Sequence, residues 1–132
     1  MISSAHRFCK GLLPLAIGIL LFVQVDDMQA GGSGLNTVVV INQPSTNSCI
    51  VGNYYCEQRA VPPENVLRIT WTGGNIAWTG TEFRSWLLNP LLEMRATRGL
   101  TNQIDFVVFS MDIPYQTIEN ATNVNSTTSA LF

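Results

Sequence analysis

Charge is what this chain has least of: Asp, Glu, Lys and Arg make up 12% of its 132 residues, about half the usual share. With a formal net charge of −2 and no Lys/Arg stripe to neutralise phosphates, nucleic acid is not an expected partner. Histidine occurs once, as His6. The rest of the chain has no imidazole base, which excludes a Ser–His or Cys–His nucleophile pair there. Lysine is confined to Lys10 and every later basic residue is Arg, which reads as compositional bias. Glycine is missing where phosphate loops need it. Neither Gly-x-Gly-x-x-Gly nor Gly-Lys-Ser/Thr follows the first apolar strand, so Rossmann and P-loop nucleotide sites are excluded. No cofactor and no metal is implied.

The N-terminal thirty residues read as a targeting segment. Arg7 and Lys10 make a positive start, Gly11 to Val25 is uncharged and mostly apolar, and Ala30 precedes Gly31-Gly32-Ser33-Gly34. Fifteen residues fall short of the roughly 20 that cross a bilayer but suit a signal-peptide core. The expectation is a signal peptide over 1–30, cleaved near Ala30, and an exported protein: periplasmic, on the cell surface or secreted. A retained N-terminal anchor is the rival, and the membrane enters only through this segment. Residues 31–36 then form a flexible tether. Cys49 and Cys56 remain after cleavage. Seven residues apart on one helix, they lie about 10 Å apart along its axis, too far for a bridge.

Against these absences stands Thr37-Val38-Val39-Val40-Ile41-Asn42, then the polar turn Gln43-Pro44-Ser45-Thr46-Asn47-Ser48. An unbroken β-branched run suits a parallel strand covered on both faces. Ser45 to Gln58 follows as a helix, with Ser45 or Ser48 suited to its start and Ile50, Val51, Tyr54 and Tyr55 marking its apolar face. Pro62-Pro63 stops it. Asn65 to Thr70 is a shorter, more polar strand that suits a sheet edge. In the connection beyond it Trp71-Thr72-Gly73 recurs as Trp78-Thr79-Gly80 about a Gly74-Asn75 turn; the tryptophans either lid a crevice or, as packing favours, cover the sheet end. Thr79 and Glu82 have capping-box spacing. Phe83, Trp86, Leu87, Leu91 and Met94 mark a long helix, which Pro90 interrupts with a kink or a restart capped by Asn89 and Gly99 stops. Ile104 to Ser110 is a third strand, so apolar that it reads as central. Asn120 to Ser129 is uncharged and polar, so 119–132 is expected to be a tail of low order.

Strand, helix, strand, helix, strand with right-handed crossovers gives the fold expectation: an α/β domain over 37–118, a three-layer open parallel sheet of order 2-1-3. In such a sheet the ligand crevice opens beyond the carboxyl ends of strands one and three. Asn42, Ser45, Asn47 and Ser48 lie on one lip and Ser110, Asp112 and Tyr115 on the other. Asn42, Ser45, Ser48 and Asp112 are the candidate ligand residues, although each type also serves as an ordinary cap or turn residue. No catalytic residue is assigned.

One resemblance is carried by specific residues. Asn42-x-x-Ser45, then Tyr54-Tyr55-x-x-x-Arg59-x-Val61-Pro62-x-x-Asn65-Val66, and later Ile104 to Phe109 with Ile113-Pro114-Tyr115, resemble an uncharacterised family of exported bacterial proteins. Ser126 to Leu131 is similar to a Ser-x-Asp-Ser-x-Leu-like run of that family, with Thr128 in place of the Asp. The resemblance implies export and an α/β core, flavodoxin-like and loosely similar to the caspase-like and gingipain-like peptidase fold. It implies no reaction, and no Cys–His dyad carries over. The functional expectation is a non-catalytic binding or surface-associated module. The alternative is the N-terminal part of a peptidase-like hydrolase whose catalytic residues lie beyond 132. An apolar third strand at a sheet edge also suggests an incomplete folding unit, with a further strand or domain supplied downstream or by a partner.

Overall fold

The computed structural model describes residues 33–120 and 122–131; the expected signal peptide and the first residues of the tether lie outside them. The fold is mixed α/β, with a small parallel sheet and a small mixed one. Strand β1 (Thr37–Asn42) lies between β2 (Val66–Ile69) and β4 (Phe106–Phe109), parallel to both. β1 is buried at every position, as its unbroken apolar run requires. Its side chains alternate between two clusters. Val38 and Val40 join Trp71, Trp78, Phe83, Leu87, Leu91 and Met94. Val39 and Ile41 meet Val61 and the half-buried Cys49, Tyr55 and Cys56.

Helix α1 (Thr46–Gln58) is capped by Ser45, whose Oγ accepts from the Ser48 N–H at 3.0 Å. It turns a different face to the sheet from the one its apolar pattern marks. Ser48 and Gly52 are fully buried, whereas Ile50 and Tyr54 are each 63% exposed. The reason is distance of approach. At Gly52 a Cβ would stand 2.6 Å from Ile41 Cγ1, so small residues let α1 settle close to β1, and Ile50 and Tyr54 are turned outward while Tyr55 still packs on the cluster. Behind α1, Gly34 packs its backbone on the Arg59 and Ala60 carbonyls, leaving no room for a Cβ. Asn65 Nδ2 and Gln103 Nε2 donate to the Leu35 carbonyl at 2.8 and 2.7 Å. The expected tether is therefore a fixed 3-10 turn from Gly34 to Asn36.

The second helical stretch opens on the full capping box: the Glu82 N–H donates to Thr79 Oγ1 at 3.2 Å and the Thr79 N–H to Glu82 Oε2 at 2.8 Å. It runs as α2 (Gly80–Phe83), a π-helical turn over Arg84–Leu88 and α3 (Asn89–Thr97). No restart occurs at Asn89, which is helical and makes no side-chain cap; its N–H donates five residues back, to Arg84. Pro90 has no N–H and its ring crowds the carbonyl four residues earlier. The wide turn before it makes that room. Gly99, at φ +68°, ends α3, and the Leu100 N–H donates to the Arg95 carbonyl at 2.8 Å.

Two expectations fail at the C-terminal end. Among the described residues β4 lies at the sheet edge, with Phe106 48% exposed, although its composition reads as central. The polar tail is ordered structure: β5 (Gln116–Asn120) and β6 (Asn123–Ser126) form an antiparallel pair that β3 (Ala77–Thr79) joins in parallel. Backbone pairing, the Arg84–Glu119 ion pair at 3.0 Å, the packing of Ala130 and Leu131 on the main core and one buried hydroxyl hold it. The Trp78 indole N–H donates to Thr127 Oγ1 at 3.2 Å, and that hydroxyl donates to the Pro114 carbonyl at 2.7 Å. Trp71 and Trp78 meet edge to face at 5.7 Å and are both buried. Both pack in the core at the sheet end, and Trp71 also lines the crevice there. Among the described residues no helix is long and apolar enough to cross a membrane.

Candidate functional site

The end of β1 outruns β4, and the groups that would pair with a longer β4 find side chains. The Asn42 N–H donates to Ser48 Oγ at 2.9 Å, and Ser110 Oγ donates to the Ser48 carbonyl at 2.6 Å. These contacts tie the start of α1 to the ends of both strands. Just beyond them Asp112 takes a left-handed backbone, φ +55°, a conformation that Asp tolerates better than most residues. Asn42 Nδ2 holds it there by donating to the Asp112 carbonyl at 2.9 Å.

The carboxylate of Asp112 is gripped from two elements. Ser45 Oγ donates to Oδ2 at 2.5 Å, and Asn75 Nδ2 donates to Oδ1 at 3.3 Å. Asn42, Ser45 and Asp112 thus come together, with Pro44, Trp71 and the turn Thr72 to Asn75, around a cleft of about 460 Å³. Asp112 brings the only ionisable group among these lining residues. Ser48 does not reach the cleft: it is fully buried beneath it and holds the end of β1. Asn47 and Tyr115 are exposed.

Reasoning from strand order alone overlooks the third wall. Trp71, Thr72, Gly73, Gly74 and Asn75 follow β2, and they close the cleft because β2 is the other neighbour of β1. Their signal in the sequence is the Gly73-Gly74-Asn75 turn. The Trp71 indole N–H donates to the Gly74 carbonyl at 2.8 Å, which folds the turn back over the ring and presents Asn75 to Asp112.

Ser45 Oγ both caps α1 and donates to the Asp112 carboxylate. No described residue is a histidine. Among the described residues no group of three or more His, Cys, Asp or Glu could hold a metal ion. Cys49 and Cys56 are free thiols on α1; burial pushes the Cys56 thiol above its ordinary value, offset in part by the charge of Arg68. Comparison with protein-family models, with curated proteins and with solved structures finds no match.

Proposed function

We propose that the chain is an exported, non-catalytic α/β binding module whose ligand seat is the cleft at the carboxyl ends of β1 and β4. One observation carries the reading: Asp112 sits in a left-handed conformation with its carboxylate fixed from two separate loops, at the mouth of that cleft. Holding a charged group in a sparsely populated backbone conformation costs folding free energy and recurs at ligand sites. The position agrees with the crevice rule for open α/β sheets. The two side-chain clusters either side of β1 support a three-layer core of order 2-1-3, of flavodoxin-like or caspase-like kind.

The lip also defines a ligand class. The residues around the cleft include no Lys, Arg or His and one carboxylate. An anion meets no countercharge, whereas a small neutral or cationic molecule bearing O–H or N–H donors finds acceptors. The test is a titration of the 15N-labelled protein with glucose, glycerol, ethanolamine and sodium phosphate. Shifts confined to Asn42, Ser45, Asn75 and Asp112, with ethanolamine or a polyol and lost in Asp112→Ala, are expected. Shifts with phosphate alone, or none near Asp112 with any of the four, refute the reading.

A further inference from the structure

A second cavity, of about 380 Å³, lies at β2 and is lined by Pro63, Val66, Leu67, Arg68 and Arg98. Its charge is opposite to that of the cleft at Asp112: two guanidinium groups line it and no carboxylate does. They reach it from different faces of the sheet. Arg98 caps the end of α3, which supplies Leu91 and Met94 to the cluster on one face. Arg68 alternates with Leu67 and Ile69 of that cluster, so it stands on the other face. There its Nη2 donates to Asn53 Oδ1 of α1 at 3.0 Å.

Both cations are held in place by uncharged acceptors. Arg98 Nη1 donates to the Glu64 and Val66 carbonyls at 2.7 and 3.2 Å, which ties its guanidinium to the strand edge. Each arginine thus spends one terminal nitrogen on the protein. Among the described residues neither has a carboxylate within ion-pair distance, and the Nε and remaining Nη of each have no partner. The main chain adds a further donor. The Gln43 N–H donates to the Ile69 carbonyl at 2.8 Å, so Ile69 turns its main chain toward β1. These groups alternate along a paired strand, so Val66 and Arg68 turn theirs to the open edge. The Arg98 contact with the Val66 carbonyl lies on that edge, and the Arg68 N–H opens on it too.

We propose that this cavity is an oxyanion site, which takes the phosphate or carboxylate group of a small molecule. Two like charges on one cavity repel each other, and an anion between them turns that repulsion into attraction. The planar guanidinium fork matches the paired oxygens of a carboxylate or phosphate, and both arginines keep the nitrogens for such a fork free. Pro63, Val66 and Leu67 offer the rest of the ligand an apolar wall. The volume is within the range of roughly 300–1,000 Å³ usual for small-molecule sites. The inference is independent of the cleft at Asp112, whose lining includes no Lys or Arg.

The test titrates the 15N-labelled full chain with phenyl phosphate, benzoate and phenol at constant ionic strength. Saturable shifts of the Val66 to Ile69 amides and of the Arg68 and Arg98 side-chain N–H groups are expected with phenyl phosphate or benzoate, and none with phenol. Whichever anion produces them identifies the group, phosphate or carboxylate. Arg68→Gln and Arg98→Gln are each expected to weaken binding about tenfold or more, as loss of a charged hydrogen bond does. Arg84→Gln removes the same charge from the ion pair with Glu119 and leaves binding unchanged. Circular dichroism verifies that each variant is folded; Arg68 is exposed and its side chain holds only Asn53, so Arg68→Gln keeps the test open if Arg98→Gln unfolds. Shifts that phenol reproduces, that do not saturate, or that Arg84→Gln weakens equally overturn the assignment. Undiminished affinity in Arg68→Gln, or no shift at β2 with either anion, overturns it too and leaves the arginines as guards of the strand edge.

Discussion

Ser48→Ala removes one oxygen and little else. Ser48 Oγ accepts from the Asn42 N–H at 2.9 Å, and both residues are buried. In the variant that N–H has lost its acceptor at the point where β1 has run past β4. Water cannot replace it without opening the contact between α1 and β1. An unsatisfied buried donor costs about 1–3 kcal/mol. The better helix propensity of alanine returns at most about 0.5 kcal/mol. The net loss is then near 2 kcal/mol, which lowers Tm by roughly 8–16 °C in a domain of about 100 residues. Thermal unfolding followed by circular dichroism measures this, with exposed Asn47→Ala as the neutral neighbour. Amide hydrogen exchange supplies the local readout, in which the Asn42 amide loses protection more than the Val39 amide. A Ser48→Ala protein within about 0.5 kcal/mol of the parent, with Asn42 still protected, would refute the assignment of Ser48 as the anchor of the β1 end.

Three further outcomes follow from the packing. Gly52→Ala is expected to destabilise by about 1–3 kcal/mol despite the helix preference of alanine, because its Cβ would stand 2.6 Å from a fully buried Ile41; an unchanged or raised denaturation midpoint would mean that α1 lies further from the sheet. Thr127→Val is expected to free the β5–β6 pair from Trp78, since the hydroxyl serves the indole N–H and the Pro114 carbonyl together; a red shift of tryptophan emission with a loss of about 1–3 kcal/mol is the sign, and unaltered fluorescence counts against it. Burial raises the Cys56 thiol above 9.0. The folded state therefore holds that proton more tightly, a contribution fully present below the unfolded value and lost as pH rises through the folded one. Alkaline unfolding of Cys56→Ser should accordingly set in at higher pH than in the parent, and identical profiles would contradict this.

The sequence by itself determined the elements whose cause is local. Four successive β-branched residues made β1 a buried strand, Ser45 began α1, the Thr79–Glu82 pair began α2, and Gly99 ended α3. Asn42, Ser45 and Asp112, named from chain order as residues just beyond two strands, line one cleft. Tertiary structure decided the rest. Which face of α1 is buried depended on the clearance over Ile41, a long-range steric fact that sent Ile50 and Tyr54 outward against their hydrophobicity. Ser48 became an anchor because β1 outruns its neighbour, which no spacing in the chain discloses. The tail became β5 and β6 through backbone pairing, one hydroxyl under Trp78 and contacts with distant residues such as the Arg84–Glu119 ion pair, none of which leaves a periodic trace in side-chain type. Asn75 joined Asp112 for the same reason: they are far apart in sequence, and only the packing of the turn after β2 against the loop after β4 brings an amide to that carboxylate.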